Sequence, residues 1–145
     1  MRVAFDTNVL LDAIMIRPCA KAAVRLLRAV AEDEIEGVIT ANTITDIYYI
    51  ARKQLGNKKA REAAFELLSL FDVAAVDGSS CVDALSLPMA DYEDAILAVC
   101  ADRAGARYIV TRDEEFIKSG MRNGCAAEVM LPADVLELFE RGEFG

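Results

Sequence analysis

The chain has 145 residues, of which 16 are Lys or Arg and 24 are Asp or Glu, so its formal net charge is −8. Hydrophobic residues make up 54% of the chain, enough for a full core at this length, which excludes a disordered, collagen-like or coiled-coil protein. Histidine is absent, which excludes His-dependent catalytic triads and nearly every catalytic zinc site. Any chemistry therefore depends on carboxylates, hydroxyls, amines or thiols.

Short β-prone runs alternate with segments of helical periodicity along the chain. The runs occupy residues 2–6, 37–40, 73–76, 108–111 and 127–130. Two helical segments are predicted in each of the first three intervals and one in the fourth. This order predicts an α/β fold in which helices cover both faces of a parallel sheet. No linker or repeat interrupts the pattern, so we expect a single domain over residues 1–145.

Two of the predicted helices carry distinct apolar patterns. Ala23, Val24, Leu27 and Ala31 recur at helical spacing and are expected to form the buried stripe of one helix. The run 95–101 is almost wholly apolar, which predicts a helix buried on most sides.

The lack of a candidate membrane span or signal peptide predicts a cytoplasmic protein without a membrane partner, and the cysteine spacing predicts no zinc site or redox motif. No apolar run approaches the roughly 20 residues of a membrane span, and Asp6 and Asp12 interrupt the region where a signal peptide would be continuously apolar. The cysteines form no C-x-x-C pair and are expected to be small buried residues: Cys19, Cys81, Cys100 and Cys125.

Acidic residues follow two of the predicted strands directly. Asp6 ends the first strand, and Asp113 follows the fourth strand after Thr111. Ligand sites in open parallel sheets lie beyond the carboxyl ends of the strands, so Asp6 and Asp113 converge if these strands are neighbours. Capping of the following helices is the alternative role of both residues.

Further acids are predicted to lie on helices beside the same edge of the sheet. Asp46 lies within a helical pattern, and the spacing of Asp91 and Asp94 places both on one face of a first turn. Helix capping or a favourable interaction with the helix dipole is the alternative for each. Packed carboxylates repel unless they are protonated or bound to a metal, and Mg²⁺ or Mn²⁺ prefers oxygen ligands. The arrangement therefore indicates phosphoryl chemistry.

The segments 3–12, 44–53, 91–98 and 108–113 together resemble a PIN domain, with all four blocks in the family's order. The resemblance implies a three-layer α/β/α sandwich with a central five-stranded parallel sheet in the order 3-2-1-4-5. It also implies an Mg²⁺- or Mn²⁺-dependent endoribonuclease in which water attacks the phosphodiester, leaving a 5′-phosphate and a 3′-hydroxyl.

The resemblance further implies roles for individual residues. It assigns catalysis to Asp6, Asp46, Asp94 and Asp113. The metal ligands would be Asp6, Asp94, Asp113 and, as an accessory, Asp91. The pocket supports would be Asn8 and Thr111. The second acid is often Glu in related proteins, and the shorter Asp46 would coordinate a metal less directly or through water.

Small standalone PIN domains of this length resemble VapC-type toxins, which implies an antitoxin partner and a homodimer. An RNA substrate also requires local basic surface on a chain of net charge −8. Residues 47–61 contain no acid and hold the RNA-binding candidates Arg52, Lys53, Lys58, Lys59 and Arg61. A solvated helix end is the alternative interpretation of these cations.

Two other α/β protein classes need residues that this chain lacks. A haloacid-dehalogenase-like phosphatase needs a second acid where this chain has Asn8, and a response-regulator receiver needs an acidic pair and a lysine that are missing. A PIN-like module that binds RNA or protein without cleaving it remains the alternative from another functional class.

Overall fold

A computed structural model describes residues 1–123 and 125–143 of the chain. Its strands form one five-stranded sheet, all parallel, in the order β3-β2-β1-β4-β5, which confirms the predicted topology. The strands are β1 (Arg2–Phe5), β2 (Glu36–Thr40), β3 (Asp72–Ala74), β4 (Tyr108–Val110) and β5 (Glu128–Met130). Each predicted run overlaps one strand. The third ends earlier than expected because Ala74 pairs with Thr40, the last residue of β2.

Eight helices connect and flank these strands within the described residues. They are α1 (Thr7–Ile14), α2 (Lys21–Ala31), α3 (Ala41–Leu55), α4 (Asn57–Leu70), α5 (Gly78–Leu85), α6 (Tyr92–Arg103), α7 (Glu114–Arg122) and α8 (Pro132–Glu140). None of the helices in 1–123 and 125–143 combines the length and apolar character needed to cross a membrane.

Alternate side chains of the central strand divide the core into two halves. Val3 and Phe5 pack in the cluster that also contains residues of α1–α4 and α8, whereas Ala4 packs with Leu97 of α6 and Phe116 of α7. All three β1 side chains are fully buried. A strand buried on both faces between two helical layers defines the predicted three-layer α/β/α sandwich.

The apolar run in α6 is buried as expected, but the buried face of α2 was predicted correctly only at Ala23, which is buried, and at Leu27, which is half-buried against the core. Val24 is 37% exposed and Ala31 is exposed, whereas Leu26, Ala29 and Val30 are buried. The interior of α2 is apolar at every position except Arg25 and Arg28, so the apolar residues extend beyond one face and do not define its phase.

The cysteines do not share one environment. Cys100 is buried, Cys81 and Cys125 are half-buried, and Cys19 is exposed, so the expectation of four buried cysteines was wrong.

Candidate active site

The carboxyl ends of β1 and β4 meet at one edge of the sheet. Phe5 lies opposite Val110 in the parallel ladder, so the next residue of each strand emerges at the same level. There the Thr111 hydroxyl donates to Oδ2 of Asp6 at 2.8 Å, and the backbone N–H of Asp113 donates to Oγ1 of Thr111 at 3.1 Å. The two acids that follow these strands therefore converge through Thr111.

Asp6 is both a helix cap and a member of this polar edge. Its Oδ1 accepts the backbone N–H of Thr7 at 2.8 Å, which caps α1, while Nδ2 of Asn8 donates to Oδ2 at 3.4 Å. Asp6 can therefore cap α1 and also contribute to the polar edge. Capping uses one carboxylate oxygen, and the side chains of Thr111 and Asn8 orient the other. Asp113 likewise caps α7.

Asp94 lies at the centre of an acidic cluster comprising Asp6, Asp91, Glu93, Asp94 and Asp113. The side chain of Asp91 caps α6 by accepting the backbone N–H of Asp94 at 3.2 Å. Burial and then the negative charges of the four other members raise the pKa of Asp94 to about 7. Asp94 is only 9% exposed. A buried carboxylate surrounded by like charges requires a proton or a cation.

Two further members of the acidic cluster have raised pKa values. Burial raises the pKa of Asp6 despite the opposing hydrogen bond from Thr111. Burial, followed by the charge of Asp46, raises the pKa of Glu93. Asp6, Glu93 and Asp94 therefore hold protons more tightly than separate carboxylates would.

Asp46 lies at the margin of the acidic cluster. The charge of Asp46 raises the pKa of Glu93. The carboxylates that most raise the pKa of Asp94 and of Asp6 are other members of the acidic cluster. Because α3 begins at Ala41, Asp46 lies beyond its first turn, which rules out the first-turn dipole role considered from sequence. Glu93 is a member of the acidic cluster that sequence spacing alone did not identify. Glu115 instead forms an ion pair with Arg122 at 3.0 Å.

The donor chemistry of the acidic cluster suits Mg²⁺ or Mn²⁺, although its side chains do not form a closed metal cage. Across 1–123 and 125–143, no three His, Cys, Asp or Glu side chains are grouped closely enough to hold one ion. Mg²⁺ commonly takes one or two protein carboxylates and completes its shell with water and substrate phosphate. An all-oxygen cluster with raised carboxyl pKa values fits such a partial shell.

A group of ion pairs around the buried Asp12 lies beside the acidic cluster and was not identified as functional from the sequence. Asp12 of α1 is 2% exposed, and its carboxylate pairs with Nε of Arg112 at 2.7 Å and with Arg17 at 3.0 Å. An acid among the apolar residues of α1 signals a buried ion pair. The sequence does not identify the partner, because Arg112 lies 100 residues away.

The predicted RNA-binding cations all lie on the antiparallel hairpin of α3 and α4, which turns at Gly56 with φ of 89°. Each is exposed, and none forms an ion pair within the described parts of the chain: Arg52, Lys53, Lys58, Lys59 and Arg61. The guanidinium of Arg52 lies 5.2 Å from the ring centre of Tyr49, which is 54% exposed. An accessible basic and aromatic surface thus follows Asp46 along α3.

A parallel α/β/α sandwich that gathers carboxylates at the carboxyl ends of its central strands defines the class of this protein. The family model described as PIN domain matches residues 2–115. The chain belongs to the PIN domain family.

Solved structures with the same fold include several toxin–antitoxin proteins. VapBC2 from Rickettsia felis, bound to a promoter DNA fragment, is 15% identical with a TM-score of 0.67, and the match covers 90% of this chain and 98% of that chain. A toxin–antitoxin complex from Klebsiella pneumoniae is 22% identical with a TM-score of 0.65, covering 90% and 97%.

A third similar structure is VapC20 from Mycobacterium tuberculosis, described as a sarcin–ricin loop cleaving toxin. It is 15% identical with a TM-score of 0.64, and the match covers 81% of this chain and 95% of that chain. No curated protein sequence matches the chain. At these identities the structural likeness establishes the fold.

Proposed function

We propose that the chain, acting as a single domain over residues 1–145, is a metal-dependent endoribonuclease and the toxin of a toxin–antitoxin module. The observation that carries this proposal is the buried Asp94 carboxyl, whose pKa is raised to about 7 by burial and by four neighbouring carboxylates. Membership of the PIN domain family supports nuclease chemistry at this position. The Mycobacterium tuberculosis neighbour, described as a sarcin–ricin loop cleaving toxin, supports RNA as the substrate.

In this proposal the metal ligands are drawn from Asp6, Asp94 and Asp113, of which one or two contact Mg²⁺ or Mn²⁺ directly and the others act through bound water, with Asp91 as an accessory acid. When bound, the cation supplies neutralisation of the phosphodiester charge and activation of the attacking water. The side chains of Thr111 and Asn8 keep one oxygen of Asp6 directed toward the cluster. Cleavage by water leaves a 5′-phosphate and a 3′-hydroxyl.

Asp46 acts at the margin of this site through Glu93. Its charge contributes to the raised pKa of Glu93, so the pair can retain a proton beside the reacting phosphate. We infer that Asp46 contributes to catalysis by helping Glu93 to retain a proton or by orienting a water molecule. The short Asp46 side chain fits this indirect role.

The basic surface of the α3–α4 hairpin guides the RNA toward the acidic cluster. Arg52 lies six residues after Asp46 on α3, which corresponds to about 9 Å along the helix axis. Lys53 follows directly, and Lys58, Lys59 and Arg61 continue the positive charge on α4. Local cations of this kind attract a polyanion to a chain of net charge −8.

An antitoxin partner and a homodimer complete the proposal, with action in the cytoplasm. Two of the structural neighbours are toxin–antitoxin complexes, which supports a protein partner for this chain. Several apolar side chains are exposed on α4 and α5 and provide surface for protein contacts: Phe65 at 76%, Leu68 at 49%, Val82 at 66% and Leu85 at 72%.

The test is cleavage of a structured RNA pool by purified protein in Mg²⁺, Mn²⁺ or EDTA, with Asp94→Asn as the control. The amide keeps the size of the side chain and removes its charge, so we expect the variant to fold. Circular dichroism verifies its folded state. We expect metal-dependent cleavage by the wild type and its loss in Asp94→Asn. Equal cleavage by both proteins would contradict the proposal, and binding of RNA without cleavage would identify a silent module.

A further inference from the structure

Segment 111–113 is tied to the first turns of α1 by three separate interactions. The Thr111 hydroxyl donates to Asp6, and the backbone N–H of Arg112 donates to Oδ1 of Asn8 at 3.2 Å. The Arg112 side chain then reaches Asp12 with two nitrogens, Nε to Oδ2 at 2.7 Å and Nη2 to Oδ1 at 3.3 Å. The third tie is the only one of the three that pairs opposite charges.

The Asp12 end of this tie is fixed in the core. The Asp12 side chain is 3% exposed, whereas that of Arg112 is 48% exposed. A buried carboxylate needs a permanent cationic partner, and the planar guanidinium satisfies both of its oxygens in one orientation. The Arg112 side chain therefore connects segment 111–113 at the surface to the buried Asp12 of α1.

We propose that Arg112 and Asp12 are positioning residues whose ion pair holds Asp113 in its place within the acidic cluster. Asp113 is the next residue after Arg112, and its own N–H is bonded within segment 111–113 to Thr111. Displacement of the Arg112 backbone therefore displaces the Asp113 carboxylate. This inference rests on the proposed function, because it assigns the pair a role in the geometry of that site.

Arg17 provides a matched comparison at the same carboxylate. Its guanidinium pairs with Oδ1 of Asp12 at 3.0 Å and its side chain is 35% exposed, much like that of Arg112. Arg17 follows the end of α1, and none of its hydrogen bonds reaches segment 111–113 within the described residues. Loss of either arginine removes one ion pair from Asp12, but only loss of Arg112 releases the Asp113 segment.

The experiment compares Arg112→Gln with Arg17→Gln by amide hydrogen exchange in the metal-free protein. We expect the N–H groups of Arg112 and Asp113 to exchange at least tenfold faster in Arg112→Gln and at the wild-type rate in Arg17→Gln. Equal rates in wild type and Arg112→Gln, or equal acceleration in both variants, would overturn the inference.

A variant that leaves no unpaired charge in the core separates the effect on the position of Asp113 from the effect on the stability of the folded protein. In Asp12→Leu/Arg112→Gln an apolar side chain replaces the buried carboxylate, which preserves folding while the tie is absent. We expect the same rapid exchange at Asp113 in this double variant. Protection at the wild-type level would overturn the inference.

Kinetics provide the functional measure in the same set of proteins. A misplacement near 1 Å at a reacting centre lowers the rate on the order of 10²-fold. We expect kcat for RNA cleavage to fall by about this factor in Arg112→Gln with little change in KM, and both constants to be retained in Arg17→Gln. Equal kcat in the wild type, Arg112→Gln and Arg17→Gln would contradict a positioning role. Absence of cleavage by the wild type would refute the nuclease proposal, and the exchange result would still decide the positioning of Asp113.

Discussion

Replacement of Asp94 by Asn tests the electrostatic account of the acidic cluster through protein stability. The unfolded-chain reference pKa of this carboxyl is 3.8, and in the folded protein burial and four neighbouring carboxylates raise it to about 7. The folded state thus binds the proton more tightly than the unfolded chain. The metal-free wild type should lose stability as the pH rises from about 4 to about 7, because only the unfolded chain releases its proton freely in that range.

The size of this effect follows from the shift in pKa. Each pKa unit corresponds to about 1.4 kcal/mol, so a shift of about three units gives a penalty of at most about 4 kcal/mol above pH 7. The value is an upper limit because neighbouring carboxylates share the titration. Asp94→Asn resembles the protonated carboxyl and lacks the penalty. We expect the variant to exceed the wild type in stability at pH 8 and to equal it near pH 4.

The assay is urea denaturation of metal-free protein across this pH range. Glu62→Gln, which alters an exposed carboxylate on α4, is the matched control and should change stability little at any pH. A stability difference between Asp94→Asn and wild type that does not grow from pH 4 to pH 8 would refute the reasoning.

Three further predictions follow from the same structure. Mn²⁺ at 100 times its dissociation constant should stabilise the wild type by about 2.7 kcal/mol in thermal unfolding and Asp94→Asn by much less; equal stabilisation would contradict metal binding at the cluster. Arg52→Gln and Lys53→Gln should each lower the slope of log RNA affinity against log salt by about one, with the exposed Lys118→Gln as the unchanged control. Gly37→Ala should cost about 1–3 kcal/mol by chemical denaturation, because its Cβ would lie 2.5 Å from the Phe71 ring; a loss below about 0.5 kcal/mol would show that the ring moves aside.

The parallel sheet and the acids at the ends of its strands were predictable from short-range patterns, whereas the strand order that brings these acids together was implied only by the resemblance to the PIN domain. β-prone runs that alternate with helical segments define a parallel sheet, and side chains that follow parallel strands lie at one edge. Asp6 and Asp113 therefore converged as expected once β1 and β4 proved to be neighbours. Their capping roles were also visible from position alone.

Features that depend on packing were not predictable in the same way. The apolar interior of α2 does not define which face is buried, so Leu26 and Val30 were missed while Val24 was wrongly placed in the core. The pairing of Asp12 with Arg112 joins residues 100 positions apart, and spacing contains no information about it. The interaction of Asp46 with Glu93 likewise depends on how α3 and α6 are oriented.

The most direct test of the central claim is the end-group analysis of RNA cleaved by the wild type with and without Mn²⁺. Hydrolysis at the acidic cluster predicts products with a 5′-phosphate and a 3′-hydroxyl that form only with the metal and disappear in Asp94→Asn. Products with a 2′,3′-cyclic phosphate, or cleavage that persists in EDTA, would contradict it.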